Sequence, residues 1–294
     1  MTLASTDREK ASGAGTLFVV ATPIGNLGDI SLRAIETLKR VATIAAEDTR
    51  RARALLSHLG VVKKRLVCID AHADSAALDA LAARIAAGEE VALLTDAGTP
   101  SVSDPGSALV RISRARGTSV TVIPGPSAVT TAIAGCGLVD GAFLFLGFVP
   151  RRREKRREVM QRIAHTKEAI VLFEAPTRLA QLFVDLAQVV PSRRICLARE
   201  LTKRFEQFEV RTAAEWALVD RDFRGEVSLV LEPDRSAAER GAIDEQRVDQ
   251  SILELLRAGL SSKDVAAHLA ALTGASRREM YQRVLRLSPD VEEK

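Results

Sequence analysis

Short apolar runs alternate with helical patterns along the first half of the chain. Runs that suit buried strands occupy positions 17–22, 43–46, 65–69, 91–94 and 119–123. Between them, apolar residues recur every three or four positions, which is the spacing of one helix face. Parallel strands need crossovers of this kind, so the alternation predicts a parallel sheet that is covered by helices on both faces.

The second half of the chain contains further apolar runs, but their connections differ. The runs lie at 142–149, 169–173, 194–198, 205–210 and 226–231, and a helical pattern spans about 176–190. One helix and several hairpin-like connections predict a mixed sheet. The fold class is therefore α/β, with two α/β domains and a small C-terminal helical appendage.

The C-terminal part of the chain shows helix start signals. Ser261 with Asp264, and Ser276 with Glu279, have the spacing of capping boxes. These helices could contact RNA, the rest of the protein or a second subunit. The predicted organisation is a disordered tail at 1–15, an N-terminal α/β domain at 16–125, a second α/β domain at 126–232, a linker at 233–246 and a helical region at 247–294.

Composition narrows the class of protein. The 294 residues carry a formal net charge of +4, which permits a polyanionic partner without requiring one. Cys68, Cys136 and Cys196 lack metal-site spacing, so we expect reduced thiols and no metal. No run of about 18 apolar residues occurs, and positions 1–15 lack a signal-peptide core. These features predict a cytoplasmic protein without a membrane span.

Glycine- and proline-rich loops follow the predicted strands of the first half. In the loop TDAGTPSVSDPG at 95–106, Gly98 and Gly106 permit positive φ, while Pro100 and Pro105 exclude helix. Ligands of parallel sheets bind beyond the carboxyl ends of strands, so this is a candidate binding loop, with an ordinary strand–helix connection as the alternative. Neither a GxGxxG fingerprint nor a Walker lysine motif is present, which disfavours nicotinamide enzymes and NTPases.

A dense basic run follows the predicted strand at 142–149. Six of the seven residues from 151 to 157 are basic. Mutual repulsion makes such a run costly as idle surface, and it could neutralise several phosphates of a nucleic acid. A solvated helix face is the alternative. The predicted RNA-binding residues are Arg151, Arg152, Arg153, Lys155, Arg156 and Arg157.

Three predicted strands end in motifs that place a carboxylate beside a cation. The motifs are AEDTR at 46–50, EAPTR at 174–178 and RELTK at 199–203. Together they could line one cleft. Charged residues at strand ends are also common solvent contacts, so each motif alone has a structural explanation as well.

Seven motifs occur along the chain in the order seen in one enzyme superfamily. They are VATPIGNLGDISLRAI, AAEDTRRARALLSHLG, LLTDAGTPSVSDPG, PGPSA, GFVPRR, LFEAPTRL and RELTKRFE. With them the chain resembles the tetrapyrrole methylase superfamily, the class III S-adenosylmethionine-dependent methyltransferases, over about 16–232 and more loosely at its C-terminal end. Within that superfamily it is most similar to the branch that methylates small-subunit ribosomal RNA.

The resemblance implies a reaction and its partners. The reaction is 2′-O-ribose methylation of a P-site (decoding-region) cytidine in 16S ribosomal RNA, presented either as free RNA or in the assembled 30S particle. The enzyme would be a homodimer that holds S-adenosylmethionine between its two α/β domains, largely through backbone groups. The matching cofactor positions are Pro23, Ile24, Asp96, Gly98, Val102, Ser127, Ala128, Glu174, Ala175, Leu201, Glu226 and Val227.

Two segments depart from the family pattern. Pro126 stands in PGPSA where relatives usually carry alanine, and we expect this change to be tolerated. The segment AHADSA at 71–76 replaces a more acidic and histidine-rich stretch, which leaves substrate contacts near His72 in doubt.

Methyl transfer from a sulfonium mainly requires that donor and acceptor be aligned, so no metal is needed. A ribose hydroxyl reacts more readily when a carboxylate accepts its proton. Arg50 and Lys203 would fix a phosphate or orient that carboxylate. The candidates for the base are, in order, Asp48 and Glu47, then Glu200 and Glu174.

Two other functions stay open. A porphyrinoid methylase of the same superfamily would act on a small tetrapyrrole, although such relatives usually carry a GDP-type loop and lack the basic run. A non-catalytic RNA-binding factor would keep the fold without the cofactor. The intact loop at 95–106 and the PGPSA segment favour cofactor binding over this second alternative.

Overall fold

The computed structural model describes residues 15–70, 73–234, 245–273 and 276–288. The chain divides into two units. Met1–Pro233 contains two five-stranded sheets, and Asp234–Lys294 contains a group of three helices. The predicted boundary between α/β domains at 125 and 126 falls inside the first unit and stays a prediction.

The first sheet is entirely parallel and alternates with helices. Its strands are β1 (Thr16–Val20), β2 (Thr43–Ala46), β3 (Arg65–Cys68), β4 (Val91–Leu94) and β5 (Ser119–Ile123), in the order β3-β2-β4-β1-β5. Its helices are α1 (Leu32–Arg40), α2 (Thr49–His58), α3 (Ser75–Ala86) and α4 (Ser107–Ala115).

Two apolar layers cover this sheet. On one face Leu38 of α1 and Leu56 of α2 pack on the strands, and on the other face Leu81 of α3 and Leu109 of α4 do so. Every residue of β1, β2 and β4 is buried, because strands covered on both faces need no polar side. The predicted parallel sheet with helices on both faces is confirmed.

The second sheet is mixed. Its strands are β6 (Phe143–Phe148), β7 (Ala169–Glu174), β8 (Arg194–Arg199), β9 (Gln207–Thr212) and β10 (Val227–Leu231), in the order β6-β7-β10-β8-β9, and only β6 and β7 pair in parallel. Its helices are α5 (Ala128–Cys136), α6 (Arg153–His165), α7 (Leu179–Val189) and α8 (Ala213–Ala217).

Helix α5 packs on one face of the second sheet, and α6, α7 and α8 pack on the other. The Trp216 ring of α8 stacks on Phe183 of α7, with ring centroids 4.8 Å apart. We did not predict α8, because five residues are too few to show a helical period. Its signal is a capping box between Thr212 and Glu215.

The second unit consists of helices α9 (Glu245–Arg257), α10 (Ser262–Thr273) and α11 (Arg277–Leu287). Ile252, Val265 and Val284 form its fully buried core. The two predicted start signals are present, because Ser261 Oγ accepts a hydrogen bond from Asp264 N and Ser276 forms a complete capping box.

Two predicted boundaries need correction. Gly15 was assigned to the disordered tail, but it is buried and its N–H donates to Ile85 O at 3.0 Å. The linker was predicted to run to residue 246, but α9 already begins at Glu245. The rest of the predicted tail, residues 235–244 of the linker, and His72 lie outside the described residues.

A buried arginine joins the ends of several elements of the second sheet. The Arg193 side chain donates to four backbone carbonyls, with donor–acceptor distances from 2.6 to 3.2 Å. These carbonyls belong to residues in α6, in the segment after α6, and directly after β10. They are Ile163, Thr166, Glu168 and Glu232.

We therefore expect Arg193→Met to lower the free energy of unfolding by about 3 kcal/mol or more, because buried carbonyls lose their donors. Urea unfolding followed by tryptophan fluorescence measures this, since Trp216 lies in the same core. Arg194→Met is the matched control. Arg194 is half exposed and pairs with Glu232, so its loss should cost less than about 1 kcal/mol. Equal losses would contradict the assignment.

Candidate active site

A cavity of about 400 Å³ lies between the loops at the carboxyl ends of the first sheet and the edge formed by β6, β7 and β10. Its walls combine apolar side chains with a few charged groups. Every predicted cofactor residue except Pro23 lines it. Those that do are Ile24, Asp96, Gly98, Val102, Ser127, Ala128, Glu174, Ala175, Leu201, Glu226 and Val227.

The loops after β1 and β4 are joined by backbone pairing. Thr22 N donates to Gly98 O at 2.8 Å, and Gly98 N donates to Thr22 O at 3.1 Å. The Thr22 hydroxyl also donates to Thr95 O at 3.2 Å. Gly98 has φ of 80°, a conformation that favours glycine. The pairing sets Ile24 and Gly98 side by side in the cavity wall.

The rest of the loop after β4 is held in an uncommon conformation. Ser101 and Ser103 have φ of 73° and 65°, although neither is glycine. At Gly106, φ is 126° and a Cβ atom would lie 2.8 Å from Leu93 Cδ2. Backbone of this kind persists only where its surroundings fix it, and such segments concentrate at functional sites. This loop brings Val102 and Asp104 into the cavity lining.

Glu174, at the end of β7, is the most deeply buried charge of the site. Its side chain is fully buried and lies 3.2 Å from Arg178 Nη1 and 4.0 Å from Arg156 Nη1. Its Oε1 also accepts from Ala175 N at 2.9 Å, while Oε2 is buried without a hydrogen-bond partner. Two arginines thus compensate a carboxylate that would be costly to bury alone.

The RELTK segment forms a turn beside the cavity. Glu200 Oε1 accepts from Lys203 Nζ at 3.0 Å and from Glu226 N at 2.9 Å. This backbone hydrogen bond, followed by the contact with Lys203, lowers the Glu200 pKa. Neither Glu200 nor Lys203 lines the cavity. Their location therefore favours a structural role over the predicted catalytic one.

The same turn touches the loop after β1. A Cβ atom at Gly25 would lie 2.9 Å from Leu201 O, so only glycine permits this approach. Leu201 itself lines the cavity. The two halves of the first unit therefore meet through backbone at the rim of the site.

Three carboxylates lie in the part of the cavity wall that the loops of the first sheet form. We call Glu47, Asp96 and Asp104 the acidic cluster. Thr95 Oγ1 donates to Glu47 Oε2 at 2.9 Å, and Arg51 Nη1 lies 3.3 Å from Asp96 Oδ2. Burial raises the pKa of Asp104 to about 6; Thr95 opposes the rise, and Glu47 and Asp96 add to it. Burial, followed by repulsion from Glu47, also raises the Asp96 pKa.

Of the two first candidates for the base, only Glu47 lines the cavity. Asp48 caps α2 and pairs with Arg50, with 2.7 Å between Arg50 Nη2 and Asp48 Oδ2. Hydrogen bonds from the Arg50 side chain and backbone hold the pKa of Asp48 well below its usual range. A carboxylate held in this way is a weak base, so its environment argues against the predicted role for Asp48. The role of Arg50 stays a prediction.

We did not predict Asp104, Arg51 or Phe148, which also line the cavity. The signal for Asp104 was its place as the second aspartate of the glycine- and proline-rich loop. No group of acidic, histidine or cysteine side chains in the described ranges has the arrangement of a metal site. None of the described helices has both the length and the apolar character that a membrane span requires.

The basic run contains one partly buried arginine among exposed cations. Arg151, Arg152 and Arg153 are exposed at the start of α6, as are Lys155 and Arg157. Arg156 differs, since its side chain is 15% exposed and pairs with Asp185 and Glu174. Its predicted role in RNA binding therefore conflicts with its surroundings. Helical spacing turns this one cation of the run toward the core.

Comparison with known proteins identifies the family. The family model Tetrapyrrole (Corrin/Porphyrin) Methylases matches residues 16–217. The chain belongs to this family. A second model, RsmI C-terminal HTH domain, matches residues 242–288, so this tetrapyrrole methylase carries an additional helical region.

Curated relatives of this tetrapyrrole methylase span nearly its whole length. A protein of Xylella fastidiosa is 40% identical over 92% of this chain and 99% of its own length. One from Neisseria meningitidis serogroup A is 38% identical over 94% of this chain and 96% of its own length. Both are named ribosomal RNA small subunit methyltransferase I.

Solved structures show the same fold at low identity. Diphthine synthase matches with a TM-score of 0.58 and 17% identity over 74% of this chain and 90% of its own. Uroporphyrin-III C-methyltransferase from Thermus thermophilus, complexed with S-adenyl homocysteine, matches with a TM-score of 0.53 and 17% identity. This match covers 74% of this chain and 97% of the other. The predicted superfamily, the α/β fold and S-adenosylmethionine as cofactor are confirmed.

The opposite pKa shifts of Asp104 and Asp48 predict opposite effects of two asparagine variants. The Asp104 pKa is raised from 3.8 to about 6, so its ionisation destabilises the fold as pH rises through this window. Asp104→Asn should therefore raise the melting temperature at about pH 8 and change it much less at about pH 4. Asp48→Asn should lower it at about pH 8, because the ionised form is the stabilised one.

Thermal unfolding followed by circular dichroism in both buffers measures these differences. Shifts of the same sign for both variants at the higher pH would contradict the charge assignments.

Proposed function

We propose that this methyltransferase transfers a methyl group from S-adenosylmethionine to the ribose 2′-hydroxyl of a decoding-region (P-site) cytidine in 16S ribosomal RNA. The observation that carries the proposal is a cofactor-sized cavity beside an exposed arginine segment, in a chain whose relatives are named as small-subunit ribosomal RNA methyltransferases. The homodimer implied by the resemblance and the cytoplasmic location expected from composition stay predictions.

The cavity suits a nucleoside-type ligand. Its volume of about 400 Å³ lies in the usual range for small-molecule sites. The pairing at Gly98 leaves one wall without a side chain at that position, so a ligand can approach the backbone closely. Ile24, Ala128 and Val227 add apolar surface for a purine and ribose. S-adenosylmethionine supplies a methyl group on a positively charged sulfur when it is bound.

Different groups of cavity residues would have different roles. The loops around Gly98 and Ala128, with Leu201 and Val227 opposite them, hold and orient the cofactor. The acidic cluster supplies negative charge where a cationic donor has to be buried. Alignment of donor and acceptor is the largest catalytic contribution open to such a site.

The exposed arginines are the candidate contact for RNA. They follow Phe148, which lines the cavity, so phosphates bound there would lie near the site. Arginine recognises phosphate through several donors in a fixed geometry. This argument extends to the exposed Lys155 and Arg157 but not to the partly buried Arg156.

Methyl transfer to RNA and cofactor binding in the cavity can be tested in parallel. Purified protein, small ribosomal subunits, free 16S RNA and a tetrapyrrole are each incubated with methyl-labelled cofactor, and labelled RNA is mapped for 2′-O-methylation. We expect label on a decoding-region ribose and none on the tetrapyrrole. Label on the tetrapyrrole alone, or on no substrate, would refute the proposal.

The matched variants are Ala128→Phe and Thr130→Phe. The first fills the cavity and should abolish cofactor binding in calorimetry, whereas Thr130 is exposed on the same helix and its variant should bind normally. Normal binding by Ala128→Phe would show that the cofactor lies elsewhere.

Salt dependence tests the RNA contact. Changing Arg151, Arg152 and Arg153 to glutamine should weaken RNA binding and reduce the slope of log affinity against log salt by about 2, because up to three phosphate contacts are lost. Cofactor affinity should not change. The control removes three positive charges elsewhere, at Arg111 and Arg114 of α4 and at Arg116 directly after it. Equal loss of RNA affinity in both triple variants would indicate an effect of net charge alone.

A further inference from the structure

Phe148 is a large apolar residue that is exposed at the cavity. It is 57% exposed, although phenylalanine is a residue that folding usually buries. Among the described residues that line the cavity, the aromatic side chains are Phe148 and Phe173, and Phe173 is partly buried. The cavity therefore offers a ligand one aromatic ring that is open to solvent.

A β-bulge sets the direction of this side chain. Strands β6 and β7 pair residue for residue up to Phe145, and the register shifts between Phe145 and Gly147. On a regular strand, side chains three positions apart point to opposite faces, so Phe145 and Phe148 would be separated. The extra residue places both rings against Phe173, with centroid distances of 5.0 Å and 5.6 Å. Bulges that redirect a side chain are common beside active sites.

Contacts before and after Phe148 fix this arrangement. Gly147 has φ of 65°, and a Cβ atom there would lie 3.0 Å from Ser103 Oγ in the loop after β4. On the other side of the ring, Arg178 Nη2 donates to Val149 O at 2.6 Å. The backbone that carries the ring is thus held at both ends, which lowers the entropic cost of binding a ligand there.

The exposed arginines begin three residues after Phe148. Three residues span at most about 11 Å, so the Cα atom of Arg151 lies within that distance of the Cα atom of Phe148. This is the scale of one nucleotide. The same short segment therefore offers an aromatic face for a base and cations for the phosphates next to that base.

From this geometry we propose that the Phe148 ring stacks on the base of the acceptor nucleotide and thereby positions its ribose for methyl transfer. The inference rests on the proposed function, since it requires a nucleotide as the methyl acceptor. A ribose that enters the cavity carries its base away from the neighbouring bases, which costs stacking energy. An aromatic side chain replaces part of the lost stacking, because every base has a π face.

The adenine of the cofactor is the other flat ring that this site would hold. Ile24 and Val227 are buried residues of the cavity wall and already supply apolar surface for it. S-adenosylmethionine carries no phosphate, so the arginines that follow the ring have no anionic phosphate on it to bind. The exposed location of Phe148 beside these arginines favours the RNA base, and cofactor calorimetry distinguishes the two.

The test compares methylation of small ribosomal subunits by wild type, Phe148→Leu and Phe148→Tyr at saturating cofactor. Leucine keeps apolar bulk but lacks a π face, so kcat/KM should fall by about tenfold or more. Tyrosine keeps the ring and should retain most of the activity. Affinity for S-adenosylmethionine, measured by calorimetry, should stay near the wild-type value in both. Phe143→Leu is the matched control, since Phe143 is 43% exposed at the other end of β6 and does not line the cavity.

A change of substrate separates base stacking from a structural effect on the strand. Small subunits are reconstituted with 16S RNA that carries either cytidine or an abasic ribose at the acceptor position. Wild type should methylate the abasic ribose more slowly, and Phe148→Leu should cause little further loss there, because the base it would contact is gone. An equal loss from Phe148→Leu on both substrates would refute the contact.

The outcomes separate the inference from the proposed function. If wild type labels the ribose and Phe148→Leu does so with equal kcat/KM, the contact is refuted and the function stands. The same conclusion holds if Phe148→Leu weakens cofactor binding as much as it lowers kcat/KM, since the ring would then contact the cofactor. If wild type transfers no methyl group to RNA, both are refuted. Unchanged melting of Phe148→Leu, followed by circular dichroism, would exclude misfolding as the cause of a lower kcat/KM.

Discussion

Backbone pairing between Thr22 and Gly98 brings together two loops that lie far apart in the sequence. The pairing is possible because β1 and β4 are parallel neighbours in the sheet. Both strands therefore end at the same edge and point in the same direction. The cavity depends on this contact, since one loop supplies Ile24 and the other supplies Asp96, Gly98, Val102 and Asp104. Gly25 extends the contact to the second sheet through its close approach to Leu201.

The charges of the first unit are arranged by location. Acidic side chains gather inside the cavity, where burial and mutual repulsion raise the pKa values of Asp96 and Asp104. Arginines at the start of α6 lie outside in solvent. A cationic donor within and a polyanionic substrate outside would each meet the opposite charge. Arg156 belongs to neither group, because it compensates the buried Glu174.

The fold alone does not identify the substrate. Structures with TM-scores of 0.53 to 0.58 include a porphyrin methyltransferase and diphthine synthase, which act on different molecules. These structures share the fold with this chain. The features that favour RNA here are the arginine segment after β6 and the helical region matched at 242–288.

The sequence by itself determined most of the strands and helices, the family and about half of the cavity lining. The pattern of apolar residues located β2, β4 and β5 to the residue. β2 and β4 are buried along their whole length and therefore form continuous apolar runs, whereas β5 is partly exposed and alternates polar with apolar residues before Ile123. The family resemblance of the loop motifs predicted cofactor residues that, apart from Pro23, line the cavity.

Tertiary structure decided which charged groups face one another. Glu47 and Asp48 are adjacent in sequence, yet one lines the cavity and the other caps a helix beside Arg50. Arg156 lies in a basic run, yet it is partly buried and pairs with Asp185. Asp104 acquires its raised pKa from burial, from Glu47 in another loop and from Asp96 in its own loop. Charge environments of this kind depend on distances between segments remote in sequence, and local patterns contain no record of those distances.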